Sequence, residues 1–319
     1  MHKRWNDKYF VFISIVCLLI FAVLVAGCTT SPPTPIPPAT TVTIQPTSMT
    51  VVSTPGPTTA VPSTTTAVAV TATPAPTYTP SEKTLVIFTA ASLKGASGKL
   101  GTAFSAMYPG HTAVFNLDGT QNLKTQVENG AYADVFISAS NSYTNTLKDE
   151  GYFINSSVKP LTTNYVIVIL PASNPGNIKT LADLAKPGVK IAIGDKTVPV
   201  GTATYAVFAN LAKSTYSQDW NKSVFSNVVT YETTEPGVAT KVALGEVDAG
   251  LVYESTYTTA PKNTYSAITI PKAENYLQTY TIGVMHQTRN TGVAQEFEDF
   301  MLSSVGQQIL KDYGFRPVS

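Results

Sequence analysis

Hydroxyl side chains and backbone amides recur where a β-branched apolar run passes into a helical pattern. The four junctions of this kind are Phe88–Leu93, Asn116–Gln121, Ile193–Gly201 and Tyr231–Gly237. Ser92 and Thr120 stand where they would cap the following helix, and Pro236 suits a first helical turn. These groups donate hydrogen bonds without carrying positive charge, which suits a fully deprotonated oxyanion. Ser and Thr also cap helices that bind nothing, so the caps alone leave both explanations open.

The elements that would position these junctions alternate along the chain beyond Glu82. The predicted strands are 84–89, 112–116, 134–138, 165–170, 189–193, 227–231 and 249–253. The predicted helices are 93–107, 121–128, 142–150, 178–184, 202–213, 236–244 and 293–313. Alternating strands and helices predict a parallel, doubly wound α/β architecture, whose ligands bind beyond the carboxyl ends of the strands.

Charge and thiol content exclude several classes of protein. The 21 Lys and Arg balance 20 Asp and Glu, which argues against binding of nucleic acid through bulk charge. Both cysteines, Cys17 and Cys28, lie in or next to an N-terminal apolar run, so the folded part has no thiol. Its histidines are His111 and His286, which excludes a Cys/His zinc site and leaves a Ser-His-Asp triad only those two candidates.

The N-terminus has the layout of a secretory signal. Three basic residues precede the apolar run Tyr9–Gly27, and Leu24–Cys28 resembles the lipobox of lipoproteins. We therefore expect residues 1–27 to be a signal peptide and Cys28 to carry lipid. An uncleaved membrane helix is the alternative, because about 19 apolar residues can span a bilayer. Either arrangement tethers the rest of the chain to the extracytoplasmic face of the cell membrane.

A proline-rich segment separates this anchor from the folded part. Residues 29–81 contain no Asp, Glu, Lys or Arg and hold twelve of the 22 prolines. A segment of this composition cannot bury enough apolar surface to offset its conformational entropy. Residues 28–82 are therefore predicted to form a disordered stalk.

Taken together, the junction motifs resemble those of the molybdate-binding proteins of ABC transporters. The motifs that carry the resemblance are Phe88-Thr-Ala-Ala-Ser-Leu93, Ala133–Ala139, Ile191–Asp195 followed by Val198–Gly201, Leu244–Tyr253 and Tyr313–Phe315. The resemblance extends from about Thr84 to Phe315. It implies a two-lobed type II periplasmic-binding-protein fold in which each lobe has a mainly parallel sheet. Lobe I would comprise residues 83–162 and 285–319, and lobe II residues 163–284, so the chain would cross between the lobes twice.

The resemblance also implies a ligand and partner proteins. The ligand would be a molybdate or tungstate dianion between the lobes, and the partners would be an ABC permease with its ATPase. No cofactor, enzymatic activity or nucleic acid is implied, and a monomer is expected.

Carried over residue by residue, the resemblance places the ligand site at five positions. Hydroxyl groups would come from Ser92, Thr120 and Tyr253, and backbone amides from Val200 and from near Glu235.

Two carboxylates depart from the pattern of that family. Asp118 lies in a turn that is usually rich in Gly and Ser, and Glu235 stands where an apolar residue is common. A carboxylate beside a dianion is repulsive unless it points away, is protonated or coordinates the metal centre. We expect Glu235 to offer its backbone N–H with its side chain in solvent. Either carboxylate could instead select a protonated oxyanion.

Other functions remain as alternatives. The ligand could be phosphate or sulfate, and a surface adhesion module would also explain the stalk. Ser156–Lys159 fits the S-x-x-K pattern of serine hydrolases, but it lies in a loop where that motif needs a helix start. Gly95–Lys99 resembles the end of a P-loop, yet Leu100 replaces the Ser or Thr that a nucleotide site requires.

Overall fold

The computed structural model describes Tyr78 and residues 81–318, with only the backbone of Asn155 included. These residues belong to the compact unit Val70–Ser319. The predicted signal peptide 1–27, the predicted lipid attachment site Cys28 and nearly all of the predicted stalk lie outside the described residues. Within the part that the structure covers, no helix is both long and apolar enough to cross a membrane.

Nine strands form one sheet with two similar halves. They are β1 (Thr84–Ala90), β2 (Thr112–Asp118), β3 (Val135–Ser138), β4 (Lys159–Pro171), β5 (Ile191–Gly194), β6 (Val228–Glu232), β7 (Ala249–Tyr253), β8 (Tyr265–Thr269) and β9 (Leu277–Val284). Their order is β2-β1-β3-β9-β4-β7-β5-β6, with β8 also paired to β4. In the first half β2 and β3 flank β1 in parallel, and in the second half β6 and β7 flank β5 in the same way.

Strand β4 connects the two halves. Residues of β4 up to Tyr165 pair with β9, and those from Val166 onward pair with β7 and β8. All of these pairings are antiparallel, as is the pairing of β9 with β3. Each half therefore has the expected parallel three-stranded core, to which β4, β8 and β9 add antiparallel strands.

Nine α-helices of the described chain pack on the sheet. They are α1 (Lys94–Met107), α2 (Thr120–Glu128), α3 (Asn141–Asp149), α4 (Pro199–Ser214), α5 (Gln218–Ser226), α6 (Glu235–Ala243), α7 (Glu254–Thr259), α8 (Thr291–Leu302) and α9 (Ser304–Asp312). Helix α1 buries Ala96, Leu100 and Phe104, which lie four residues apart on one face. Phe104 contacts Phe297 and Phe300 of α8, so α8 packs back onto the first half.

Two of the predicted helices differ in the structure. The single helix predicted over 293–313 is broken at Ser303, whose side chain caps α9 by accepting from the Gly306 N–H. The segment predicted at 178–184 forms only a short 3₁₀ turn, Leu181–Ala185, which the Thr180–Asp183 capping box starts. Helices α5 and α7 and strands β8 and β9 were not predicted as separate elements.

Candidate functional site

The five residues predicted to bind a ligand line one small cavity between the two halves of the sheet. The first half contributes Ala90, Ala91, Ser92, Gly119, Thr120 and Ala139, and the second contributes Val198, Pro199, Val200, Glu235 and Tyr253. The cavity encloses about 230 Å³ of space between atoms, including its opening. Among the described residues that line it, none is Lys, Arg or His.

Ser92 reaches the cavity from the turn that follows β1. The predicted capping role is wrong, because Ser92 lies inside the 3₁₀ turn Ala91–Leu93 and makes no cap. Its Oγ instead lies 2.9 Å from the hydroxyl oxygen of Tyr280, and both side chains are buried. An Oγ that accepts from Tyr280 keeps its own hydrogen for a ligand.

Thr120 is the first residue of α2, and Gly119 occupies the cap position. The expectation that Thr120 caps the helix is therefore also wrong. Its Oγ1 accepts the backbone N–H of Ala139 at 3.1 Å. Because a hydroxyl oxygen that accepts one hydrogen bond can still donate its own hydrogen, Thr120 remains available as a donor.

Val200 lines the cavity from the start of α4. Val200 lies in the first turn of α4, where an N–H has no carbonyl partner within the helix. A Cβ on Gly201 would overlap the carbonyl oxygens of Gly194 and Asp195. The start of α4 therefore lies so close to the end of β5 that only glycine fits at position 201. The Pro and Gly of this junction therefore serve the tight approach predicted from the sequence.

Glu235 and Tyr253 are joined inside the second half of the sheet. Glu235 opens α6, and Thr234 caps that helix by accepting from the Gly237 N–H. The Glu235 side chain is 4 % exposed, so the expectation of a solvent-exposed carboxylate is wrong. Its Oε1 accepts the Tyr253 N–H at 3.0 Å, and its Oε2 has no hydrogen-bond partner. Burial raises the pKa of Glu235 to about 7, a rise opposed by the nearby Thr256 hydroxyl and the Tyr253 amide.

The hydroxyl of Tyr253 already has a partner in the structure. It donates to Oε1 of Gln278 at 3.3 Å, a long contact within the buried cluster. Burial raises the pKa of the Tyr253 hydroxyl well above its ordinary value, so Tyr253 is a neutral donor at physiological pH. A ligand in the cavity would compete with Gln278 for this hydrogen.

Asp118 is not among the residues that line the cavity. Its Oδ1 accepts from the Gly119 N–H at 2.7 Å and from the Asn122 side chain at 3.0 Å. The carboxylate therefore stabilises the turn between β2 and α2.

Two side-chain hydrogen bonds connect the halves beside the cavity. The Tyr143 hydroxyl of α3 donates to the Thr197 carbonyl at 2.7 Å. Nε2 of Gln121 in α2 donates to the Thr233 carbonyl at 2.8 Å. Both acceptors lie in loops that lead into helices lining the cavity, so these bonds hold the two sides of the cavity together.

Sequence reasoning missed Tyr280 and Gln278, the partners of Ser92 and Tyr253. The β-branched and aromatic residues of β9 could have identified the strand, but not the distant side chains that it meets. Ala90, Ala91 and Ala139 were also missed, since small residues that line a cavity leave no chemical signature in the sequence.

The sequence matches the family of bacterial extracellular solute-binding proteins over residues 85–316. The chain belongs to this family. One relative in the same comparisons is the molybdate-binding protein ModA of Mycobacterium tuberculosis, which is 31% identical over 238 residues, or 74% of this chain and 86% of the relative. Members of the family are solute-binding proteins.

Solved structures agree on the fold of this solute-binding protein. The substrate binding domain of a putative molybdenum ABC transporter from Clostridium difficile is 27% identical, with a TM-score of 0.58 over 74% of this chain and 99% of that chain. The sulfate-binding protein SubI of M. tuberculosis is 17% identical, with a TM-score of 0.67 over 74% and 88%. The α/β architecture is therefore that of two-lobed periplasmic binding proteins.

Proposed function

We propose that this solute-binding protein captures a molybdate or tungstate dianion in the cavity and delivers it to an ABC permease with its ATPase. The hydroxyls of Ser92, Thr120 and Tyr253 and the amides of Val200 and Glu235 would donate to the anion's oxygens. The protein would release its cargo unchanged, since a receptor binds without turnover.

The observation that carries this proposal is a buried set of donors without a cation. Two backbone amides stand at the starts of α4 and α6, where the helix dipole favours negative charge. Neutral donors stabilise an anion that is already deprotonated, because such an anion offers only acceptors. Among carriers of small solutes, this donor set suits a tetrahedral oxyanion.

The relatives support the same class of cargo. ModA is named as a molybdate-binding protein, and the C. difficile domain is assigned to a putative molybdenum transporter. The likeness to SubI, a sulfate-binding protein, concerns the fold and keeps sulfate as an alternative.

Closure of two lobes around the anion is part of the proposal. The lobes would be 83–162 with 285–319 and 163–284, with β4 and β9 as the connecting strands. The change of pairing partner in β4 after Tyr165 supports a hinge close to the predicted boundary at 163. The receptor would act as a monomer, tethered to the outer face of the membrane through lipid on Cys28.

Thermal melting of the full-length protein with different anions tests this function. A ligand at about 1,000 times its dissociation constant adds roughly 4 kcal/mol of stability. For a domain of this size, that shift corresponds to roughly 8 to 16 °C. We expect this rise with molybdate and tungstate. A rise with sulfate or phosphate alone would show that one of these anions is the ligand instead. No rise with any of the four anions would overturn the proposal that the protein is an oxyanion receptor.

A further inference from the structure

Glu235 is the only carboxylate among the described residues that line the cavity. One of its oxygens, Oε1, is committed to the Tyr253 N–H at 3.0 Å. The other, Oε2, is buried and has no hydrogen-bond partner. A buried carboxyl oxygen without a partner is costly unless a ligand or a proton satisfies it.

The groups that face Glu235 do not offset a negative charge. The titratable neighbours are the tyrosines Tyr253 of β7, Tyr265 of β8 and Tyr280 of β9, whose own pKa values its charge raises. The Thr256 hydroxyl of α7 lies near enough to favour the carboxylate, but it forms no hydrogen bond of good geometry with Oε2. None of the described groups that influence its pKa is Lys, Arg or His.

An ionised Glu235 would also repel a dianion in the cavity. Because the anion carries two charges, this repulsion is twice that between two unit charges at the same distance. A neutral carboxyl removes the repulsion and adds a donor. Oε1 can keep accepting from Tyr253 while Oε2 carries the hydrogen.

We propose that Glu235 binds the anion as a neutral acid, with the Oε2 hydrogen donated to an anion oxygen, so that capture of the dianion above neutral pH takes up one proton. The proton comes from solvent and returns to it when the anion leaves. This proposal rests on the oxyanion function given above and adds a residue that sets its pH dependence. An ionised Glu235 would act in the opposite way, by accepting a hydrogen bond from a protonated anion such as hydrogen phosphate.

Calorimetric titration of molybdate into the full-length protein tests this proposal between about pH 6 and pH 9. Each pH is measured in two buffers of different ionisation enthalpy, which gives the number of protons exchanged. We expect uptake to rise from near zero at the acidic end towards one at the alkaline end. The affinity should then fall by about tenfold per pH unit above neutrality, as linkage requires. Binding without proton exchange, or with proton release, would overturn the proposal.

The variant Glu235→Gln removes the titrating group and keeps a neutral side chain. Whatever its absolute affinity, its dissociation constants at the two ends of the pH range should agree within about threefold. Glu232→Gln is the matched control, because the Glu232 side chain accepts from the Thr230 hydroxyl and does not line the cavity. That control should keep the wild-type pH profile.

The role of Glu235 and the proposed function can be overturned by different results. A Glu235→Gln protein that retains the wild-type slope overturns the role of Glu235. Wild-type protein that binds molybdate at no pH overturns the proposed function, and this inference with it. If the variant does not fold, the proton count for the wild-type protein still decides the question.

Discussion

The side chains of Ser92 and Tyr280 meet inside the molecule with their oxygens 2.9 Å apart, although 188 positions separate them in the sequence. Ser92 follows the first strand of the first half, and Tyr280 lies in β9, which pairs with the connecting strand β4. When Ser92 donates to a bound anion, its Oγ accepts from Tyr280. Tyr280 therefore positions a ligand-binding hydroxyl.

Replacing Tyr280 with Phe should weaken molybdate binding by about 2- to 10-fold, because one buried hydrogen bond contributes about 0.5–1.5 kcal/mol. Calorimetric titration measures the change. Tyr108→Phe is the control, since the Tyr108 ring packs on Phe104 and does not line the cavity. Equal affinities for the Tyr280→Phe protein and the wild type would contradict the positioning role.

The bond from Tyr143 to the Thr197 carbonyl should stabilise the closed form of the receptor. The variant Tyr143→Phe removes this bond. It should raise the dissociation rate of the anion by about 2- to 10-fold, because the bond stabilises the state in which the two halves are closed around the anion. Stopped-flow measurement of release gives this rate. Tyr257→Phe, at an exposed tyrosine of α7, should release at the wild-type rate. A slower association rate with unchanged release would argue against the closing role.

Gly201 should tolerate no side chain. In Gly201→Ala the new methyl group would overlap the carbonyl oxygens of Gly194 and Asp195, so we expect a loss of about 1–3 kcal/mol or more in the free energy of unfolding. The amide of Val200 should move with it and weaken binding. Gly98→Ala in α1 meets nothing within 4 Å and should instead gain about 0.5–1 kcal/mol. Chemical denaturation compares the two, and a neutral Gly201→Ala would contradict the close approach.

Burial of Glu235 also makes the stability of the unliganded protein depend on pH. Its pKa is about 7 in the folded protein against an ordinary value of 4.5, so the folded state holds a proton that the unfolded state has released between these values. The contribution is present at acidic pH and is lost as the pH rises from about 4.5 to about 7, a change of about 3 kcal/mol.

Denaturation across this pH range should therefore show a steeper fall in stability for the wild type than for Glu235→Gln. The difference between the two proteins isolates Glu235 from other groups, such as Asp183, whose pKa is lowered by the Lys186 ammonium and by backbone amides. Parallel curves would show that the Glu235 pKa is close to its ordinary value.

Local chemistry explains which parts of the fold were predictable from the sequence. Pro199 fixes its own φ angle and Gly201 has no side chain to block the close approach of β5, so the tight helix start was predicted correctly. Apolar periodicity placed β1 and α1 to within one residue at each end. The antiparallel strands β8 and β9 were missed because both form by pairing with β4, which is distant in sequence.

The candidate site was also predictable only in part. Sequence motifs named the residues that now line one cavity, but they gave Ser92 and Thr120 the wrong local role. Both hydroxyls engage groups from other elements, Tyr280 and the Ala139 amide. The burial of Glu235, and with it the raised pKa, could not be predicted from the sequence either, because burial of a side chain is a property of the assembled fold.

The most direct measurement is calorimetric titration of molybdate into the full-length wild type and into a protein that carries both Ser92→Ala and Thr120→Ala. Each hydrogen bond to a charged group contributes roughly 1.5–3 kcal/mol, so the double variant should bind at least about 100-fold more weakly. Ser97→Ala, at a buried serine of α1 that does not line the cavity, should match the wild type. We expect one anion per wild-type chain and almost none for the double variant. Equal affinity in these two proteins would contradict the site between the two halves.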